Sequence, residues 1–125
     1  RLLDEPRYQA EAERTLRCFQ ASMHAQPTPY PGLLRALEGM LLPPRVIVLR
    51  GPEPEVSEWK KAADFAVDGA SMLFKLTSDA REIPTNLQKS PQSSVNASIC
   101  DDVSCLPEIV QLPDLLAILS KRVVQ

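Results

Sequence analysis

The most reactive side chains in this sequence are its three cysteines, and two of them lie close together in Cys100-Asp101-Asp102-Val103-Ser104-Cys105. A four-residue loop between two strand ends could set the Cα atoms of Cys100 and Cys105 opposite one another, within disulfide reach. A catalytic thiol needs more, because its thiolate must be stabilised by cations or a helix N-terminus, whereas Asp101 and Asp102 beside Cys100 oppose that charge. The pair is read first as structural, with a reversible redox disulfide as the alternative. Cys18 stands six residues before the single histidine, His24, so the two leave a helix on different sides. A buried Cys18 and a solvated His24 are expected. A zinc centre needs four ligands, and only carboxylates remain to complete one, so no metal site is assigned.

Phosphate chemistry would belong to the turn Arg50-Gly51-Pro52-Glu53-Pro54-Glu55. That turn lacks both glycine-rich phosphate patterns, its prolines remove amide donors, and Glu53, Glu55 and Glu58 already occupy the positive end of the helix that follows. The glutamates are expected to offset the helix dipole instead of leaving it to a nucleotide. No Gly-x-Ser-x-Gly elbow is present, and Asp101 and Asp102 are neighbours in sequence instead of facing each other across a cleft. Asn96-Ala97-Ser98 fits a glycosylation sequon but falls in an expected strand. No catalytic residue and no cofactor are assigned.

These residues sit in a chain of 125, long enough for one hydrophobic core and short for two independent ones. Apolar residues make up 44% and charged residues 24%, which is globular composition, and no apolar run reaches the roughly 20 residues a membrane helix needs. The formal charge is −2 and is spread evenly, five basic against five acidic side chains over residues 1–43 and nine against eleven over 44–125. Without a basic cluster to neutralise phosphates, no nucleic-acid partner is expected, and no membrane partner either. The chain opens on Arg-Leu-Leu-Asp with no signal or transit pattern, and is read as a piece of a longer protein. An odd, small number of cysteines suits a reducing compartment, so the expected location is cytoplasmic.

Twelve prolines against four glycines punctuate the elements that must position these side chains. A first helix is expected from Asp4 as N-cap to Ala25, with Tyr8, Ala12, Leu16, Phe19 and Met23 as one apolar stripe. A second helix, from Pro31 to Leu41, completes a hairpin across Pro27, Pro29 and Pro31. Val46 to Leu49, ending at Gly51, reads as a strand buried on both faces. A helix from Glu53 to Val67 follows, with Val56, Trp59, Ala63 and Ala66 inward, and then a strand at Met72 to Phe74 closes a βαβ unit. Asp79 and Glu82 could start a single helical turn before Pro84, in a segment that is otherwise polar and broken. Val95 to Cys100 and Leu106 to Val110 are third and fourth strand candidates. A last helix begins at Pro113, holds Leu115, Leu116 and Leu119 inside, and ends at Lys121 and Arg122. The fold class is therefore α/β: an N-terminal helix hairpin over 1–43, then a small domain over 44–125 with a mostly parallel sheet of three or four strands and flanking helices.

The order of these elements, with Ala97-Ser98-Ile99-Cys100-Asp101-Asp102-Val103-Ser104-Cys105-Leu106-Pro107 before a Leu-rich terminal helix, resembles the C-terminal region of the thioredoxin-domain-containing proteins related to spermatogenesis-associated protein. In that family an N-terminal thioredoxin-like domain and a central epimerase-like (α/α) barrel precede a small α/β tail. The resemblance places Tyr30-Pro31-Gly32-Leu33-Leu34-Arg35-Ala36-Leu37 on the last barrel helix and Pro44 to Gly51 on the first tail strand. It implies a non-catalytic C-terminal accessory domain, with any enzyme activity residing in the rest of the parent protein. Its partners are then the remainder of that chain, or a second copy of this piece paired through the hairpin. The alternative it implies is a thiol-redox module in which Cys100 and Cys105 work with the parent's thioredoxin-like domain.

Overall fold

A computed structural model of the chain describes residues 5–83, 87, 93–101 and 104–121. They form two compact units, a helical one up to Pro43 and an α/β one from Pro44 onward. The α/β class expected from the sequence, a helix hairpin followed by a small sheet, is the class observed.

The first unit consists of α1, Pro6–Ala25, and α2, Pro31–Leu41. Each begins with a proline, whose missing N–H costs nothing where a helix has no acceptor to offer. Asp4 lies outside the described residues, and Glu5 takes the N-cap position without a side-chain cap bond. Between the helices Tyr30 N–H donates to the Pro27 carbonyl at 3.0 Å, and the Tyr30 ring stands 6.1 Å from that of Phe19. The apolar stripe of α1 is buried only in part: Leu16 and Met23 are buried, while Tyr8 is 61% and Phe19 41% exposed. At about 100° per residue, Leu16 and Met23 share one line along the helix and Tyr8 and Phe19 another, about 60° away. No residue of α2 is fully buried, and Leu34 and Leu41 are exposed.

In the second unit β1, Val46–Gly51, is the middle strand of a sheet ordered β2-β1-β3, with β2 spanning Met72–Thr77 and β3 Asn96–Cys100. Its central place explains its apolar run: Ile47, Val48 and Leu49 are all buried. Parallel pairing with β2 sets Val46 beside Met72 and Gly51 beside Thr77, across the helix α3, Glu55–Ala66. α3 starts two residues later than the sequence suggests because Pro54 takes its N-cap position. β3 runs antiparallel to β1, with Cys100 opposite Val46 and Asn96 opposite Arg50, so the sheet holds one pair of each kind. A parallel return needs a crossover, usually a helix. The described residues directly after β2, up to Ile83, start none: Ala80 N–H bonds the Thr77 carbonyl at 3.1 Å, and Glu82, at φ 55, is in the left-handed region. Asp79 and Glu82 thus make a turn and not the expected helical turn; Pro84 lies outside the described residues. The chain re-enters the sheet at the end where it left.

The fourth strand candidate is reduced to a bridge in which Ala97 and Ile109 exchange hydrogen bonds of 2.8 and 2.9 Å. Pro107, which cannot donate to a ladder, limits it. One face of the sheet presents Ile47, Leu49, Ala97 and Ile99 to a core completed by Val56, Trp59 and Ala63 of α3 and by Leu115 and Leu119 of α4, Leu112–Ser120. Leu116, expected inside, is half-buried. Lys121 takes the C-cap position of α4, and Arg122 lies outside the described residues. Gly51 ends β1 so close to Val95 that a Cβ would fall 2.7 Å from the Val95 Cα, which leaves glycine as the residue that fits. No described helix is long and apolar enough to cross a membrane.

Candidate functional site

Cys100 closes β3 and faces Cys105 across an antiparallel bridge, with Cα atoms 4.0 Å apart and the sulfurs joined as a disulfide. The two cysteines occupy a closely spaced, non-hydrogen-bonded pair, flanked by bonds from Leu106 N–H to the Ile99 carbonyl at 2.9 Å and from Asp101 N–H to the Ser104 carbonyl at 3.0 Å. Asp101 turns its carboxylate onto Ser104, accepting from the backbone N–H at 3.2 Å and from the hydroxyl at 3.1 Å. Asp102 lies outside the described residues. Between the Cys100–Cys105 and Ala97–Ile109 bridges the pairing shifts by one residue, a bulge at Pro107 and Glu108. Beyond it Glu108 accepts a 2.8 Å bond from the Asn96 amide. Asn96 is 1% exposed, so the sequon is packed away from any glycosylating enzyme.

At the other end of β1, Glu53 accepts from Lys75 Nζ at 2.6 Å and from the Ser57 hydroxyl, and Lys75 also donates to Ser57 at 3.0 Å. This cluster ties the start of α3 to β2. Glu55 and Glu58 occupy the first turn of α3 as expected, while Glu53 is engaged by Lys75. Cys100 pairs with Val46 and Thr77 with Gly51, so the disulfide and the turn are separated by most of a six-residue strand, roughly 17 Å. They do not form one site. Cys18, expected to be buried, is exposed, because it lies about 150° around α1 from the buried line of Leu16 and Met23. His24 is exposed as expected. Among the described residues, no three His, Cys, Asp or Glu side chains are grouped to hold a metal ion.

Sequence reasoning missed a polar strip: Arg50, Asn96 and Ser98 are all buried, on strand positions that alternate with the core-facing Leu49, Ala97 and Ile99. The period-two pattern of Asn96-Ala97-Ser98-Ile99 was the available signal, since it describes a strand whose two faces meet different surroundings.

Hydrogen bonds from Lys75 first and Ser57 second hold the Glu53 carboxyl below the ordinary carboxylate range. Asp68 is lowered by its bond from Ser71 and by Arg45, and Asp79 by Thr77. The unfolded chain therefore takes up these protons more readily than the folded one. Their stabilisation is complete above the ordinary carboxylate range and is lost as pH falls through the depressed values. Denaturant titrations across acid pH should show stability falling, with a shallower fall for Lys75→Met; stability that rises on acidification would contradict this assignment.

No protein-family model matches this chain, nor does any curated protein or solved structure.

Proposed function

We propose that this chain is a non-catalytic accessory domain: a self-supporting α/β unit that carries a helix hairpin built to dock onto further helices. The observation that carries this reading is the exposed apolar surface of the hairpin. Tyr8, Phe19, Leu34 and Leu41 are at least 36% exposed, and α2 buries no side chain completely. Exposed apolar side chains along both helices are what a docking surface for further helices would present. In the thioredoxin-domain-containing family that the sequence resembles, the missing cover is the end of the helical barrel, and the chain's partner is the rest of its parent protein. The cytoplasm is the location that goes with this role, on the small and odd number of cysteines in the chain.

An environment-sensitive dye tests the reading. The chain should bind the dye, and Phe19→Glu combined with Leu34→Glu should abolish most of that binding while shifting the stability of the α/β unit by no more than about 0.5 kcal/mol. Absence of dye binding in the unaltered chain, or unfolding of the α/β unit by the double variant, would contradict it.

A further inference from the structure

We infer that the open edge of β2 pairs with the same edge of a second copy, joining two three-stranded sheets into one of six strands. This rests on the sheet edge and not on the hairpin. Met72 N–H donates to the Arg45 carbonyl and Ser78 N–H to the Gly51 carbonyl, so the even-numbered residues of β2 face β1. Leu73, Lys75 and Thr77 then direct their N–H and C=O groups the other way. No described strand lies on that side, where β2 ends the sheet.

Edge strands are ordinarily guarded by proline, by a bulge or by an outward charge. β2 has no proline, pairs with β1 without a bulge along all six residues, and carries one charge, Lys75. That charge is drawn toward α3 by Glu53 at 2.6 Å and Ser57 at 3.0 Å, which removes it as a guard. Of the three outward-directed residues Lys75 is exposed and Leu73 and Thr77 are half-buried, so none of them is fully covered.

The sequence of the strand selects a second copy of the chain over an unrelated segment. A two-fold axis normal to the sheet keeps each face on its own side, so opposed residues must both be even or both be odd. Centring on Lys75 would oppose Lys75 to its equal and Leu73 to the second copy's Thr77, an unlike apolar–polar pair. Centring on Phe74 opposes Phe74 to its equal and Met72 to the second copy's Leu76, because Met72-x-Phe74-x-Leu76 is symmetric about its middle residue. It also sets Leu73 opposite the second copy's Lys75, and the outward groups of these residues supply four backbone hydrogen bonds. Phe74 and its equal fall at a closely spaced pair between them, at about 4.5 Å between Cα atoms.

The test uses the full chain with Cys18→Ser, which removes the exposed thiol. Sedimentation equilibrium should show a monomer–dimer equilibrium, and Phe74→Cys should give a cross-linked dimer on mild oxidation. Lys75→Cys, whose equals are offset along the strands, should cross-link far less. Lys75→Pro removes one outward N–H from each copy and should weaken dimerisation by on the order of tenfold or more while circular dichroism reports an intact fold. A monomer at every concentration overturns the inference. So does a dimer that Phe74→Cys fails to cross-link, which would indicate pairing elsewhere, such as through the hairpin.

Discussion

Replacing Trp59 by alanine should lower the unfolding free energy by about 3–5 kcal/mol, the cost of removing a large aromatic from a packed interior. Trp59 lies on the core-facing side of α3 between Val56 and Ala63, and it packs among Ile47, Leu49 and Leu115. α3 meets the sheet and α4 at once, so a cavity there loosens both contacts. Domains of this size are stable by roughly 5–15 kcal/mol in all, which makes this loss a large fraction of the total. Trp59 is the sole tryptophan, so denaturation should be followed by far-ultraviolet circular dichroism instead of fluorescence. Phe65, six residues further along the same helix, is 94% exposed, and Phe65→Ala should change stability by no more than about 0.5 kcal/mol. Equal losses in the two variants would mean that α3 does not present the face assigned to it.

The second-largest effect expected is that of Cys100→Ser with Cys105→Ser. The bridge closes a loop between residues five apart, and restraining so short a loop in the unfolded chain contributes about 2 kcal/mol on the chain-entropy model. The loop closed by the bridge keeps its own backbone hydrogen bonds at Asp101–Ser104 and Leu106–Ile99, and neither cysteine is fully buried. The double variant should therefore fold, with a melting temperature lower by about 4–8 °C. Collapse of the fold would instead identify the Cys100–Cys105 loop as a nucleus on which the sheet depends. Thiol titration of the unaltered chain adds an independent reading. A redox pair would open and close near cytosolic potentials, about −300 to −220 mV, whereas a structural bridge resists reduction there.

The elements legible in the sequence were those with an unbroken local signal. Pro31 to Leu41 is bounded by a proline at its start, and Val46 to Leu49 is apolar throughout because it becomes the central strand. β2 continues three residues past the expected Phe74 because Lys75, which reads as the end of an apolar run, is accommodated by Glu53 and Ser57 from another element. That partnership is invisible until α3 is placed. The antiparallel course of β3 goes with its entry at Asn96, opposite Arg50, beside the end of β1 where Thr77 leaves next to Gly51, and the polar–apolar alternation of Asn96 to Ile99 was the local hint of a strand with two different faces. The stripe on α1 was legible as apolar, but burial depends on which part of it finds a cover, and only the Leu16–Met23 line does. The facing of Cys100 and Cys105 was readable from the length of their loop; the bulge that turns Glu108 onto Asn96 was not, since it depends on a one-residue shift in pairing.

Native-state hydrogen exchange on the unaltered chain tests the central claim most directly, that an independently stable α/β unit carries a hairpin awaiting its cover. Amides of β1 and of α3 around Trp59 should exchange only through global unfolding, because they lie in the buried cluster. Amides of α2 from Leu34 to Leu41, in a helix that buries no side chain completely, should exchange through local opening, at least about a hundredfold faster. Protection of α2 equal to that of β1 would contradict the account, since it would show a hairpin already fully supported within this chain and with no docking surface to offer.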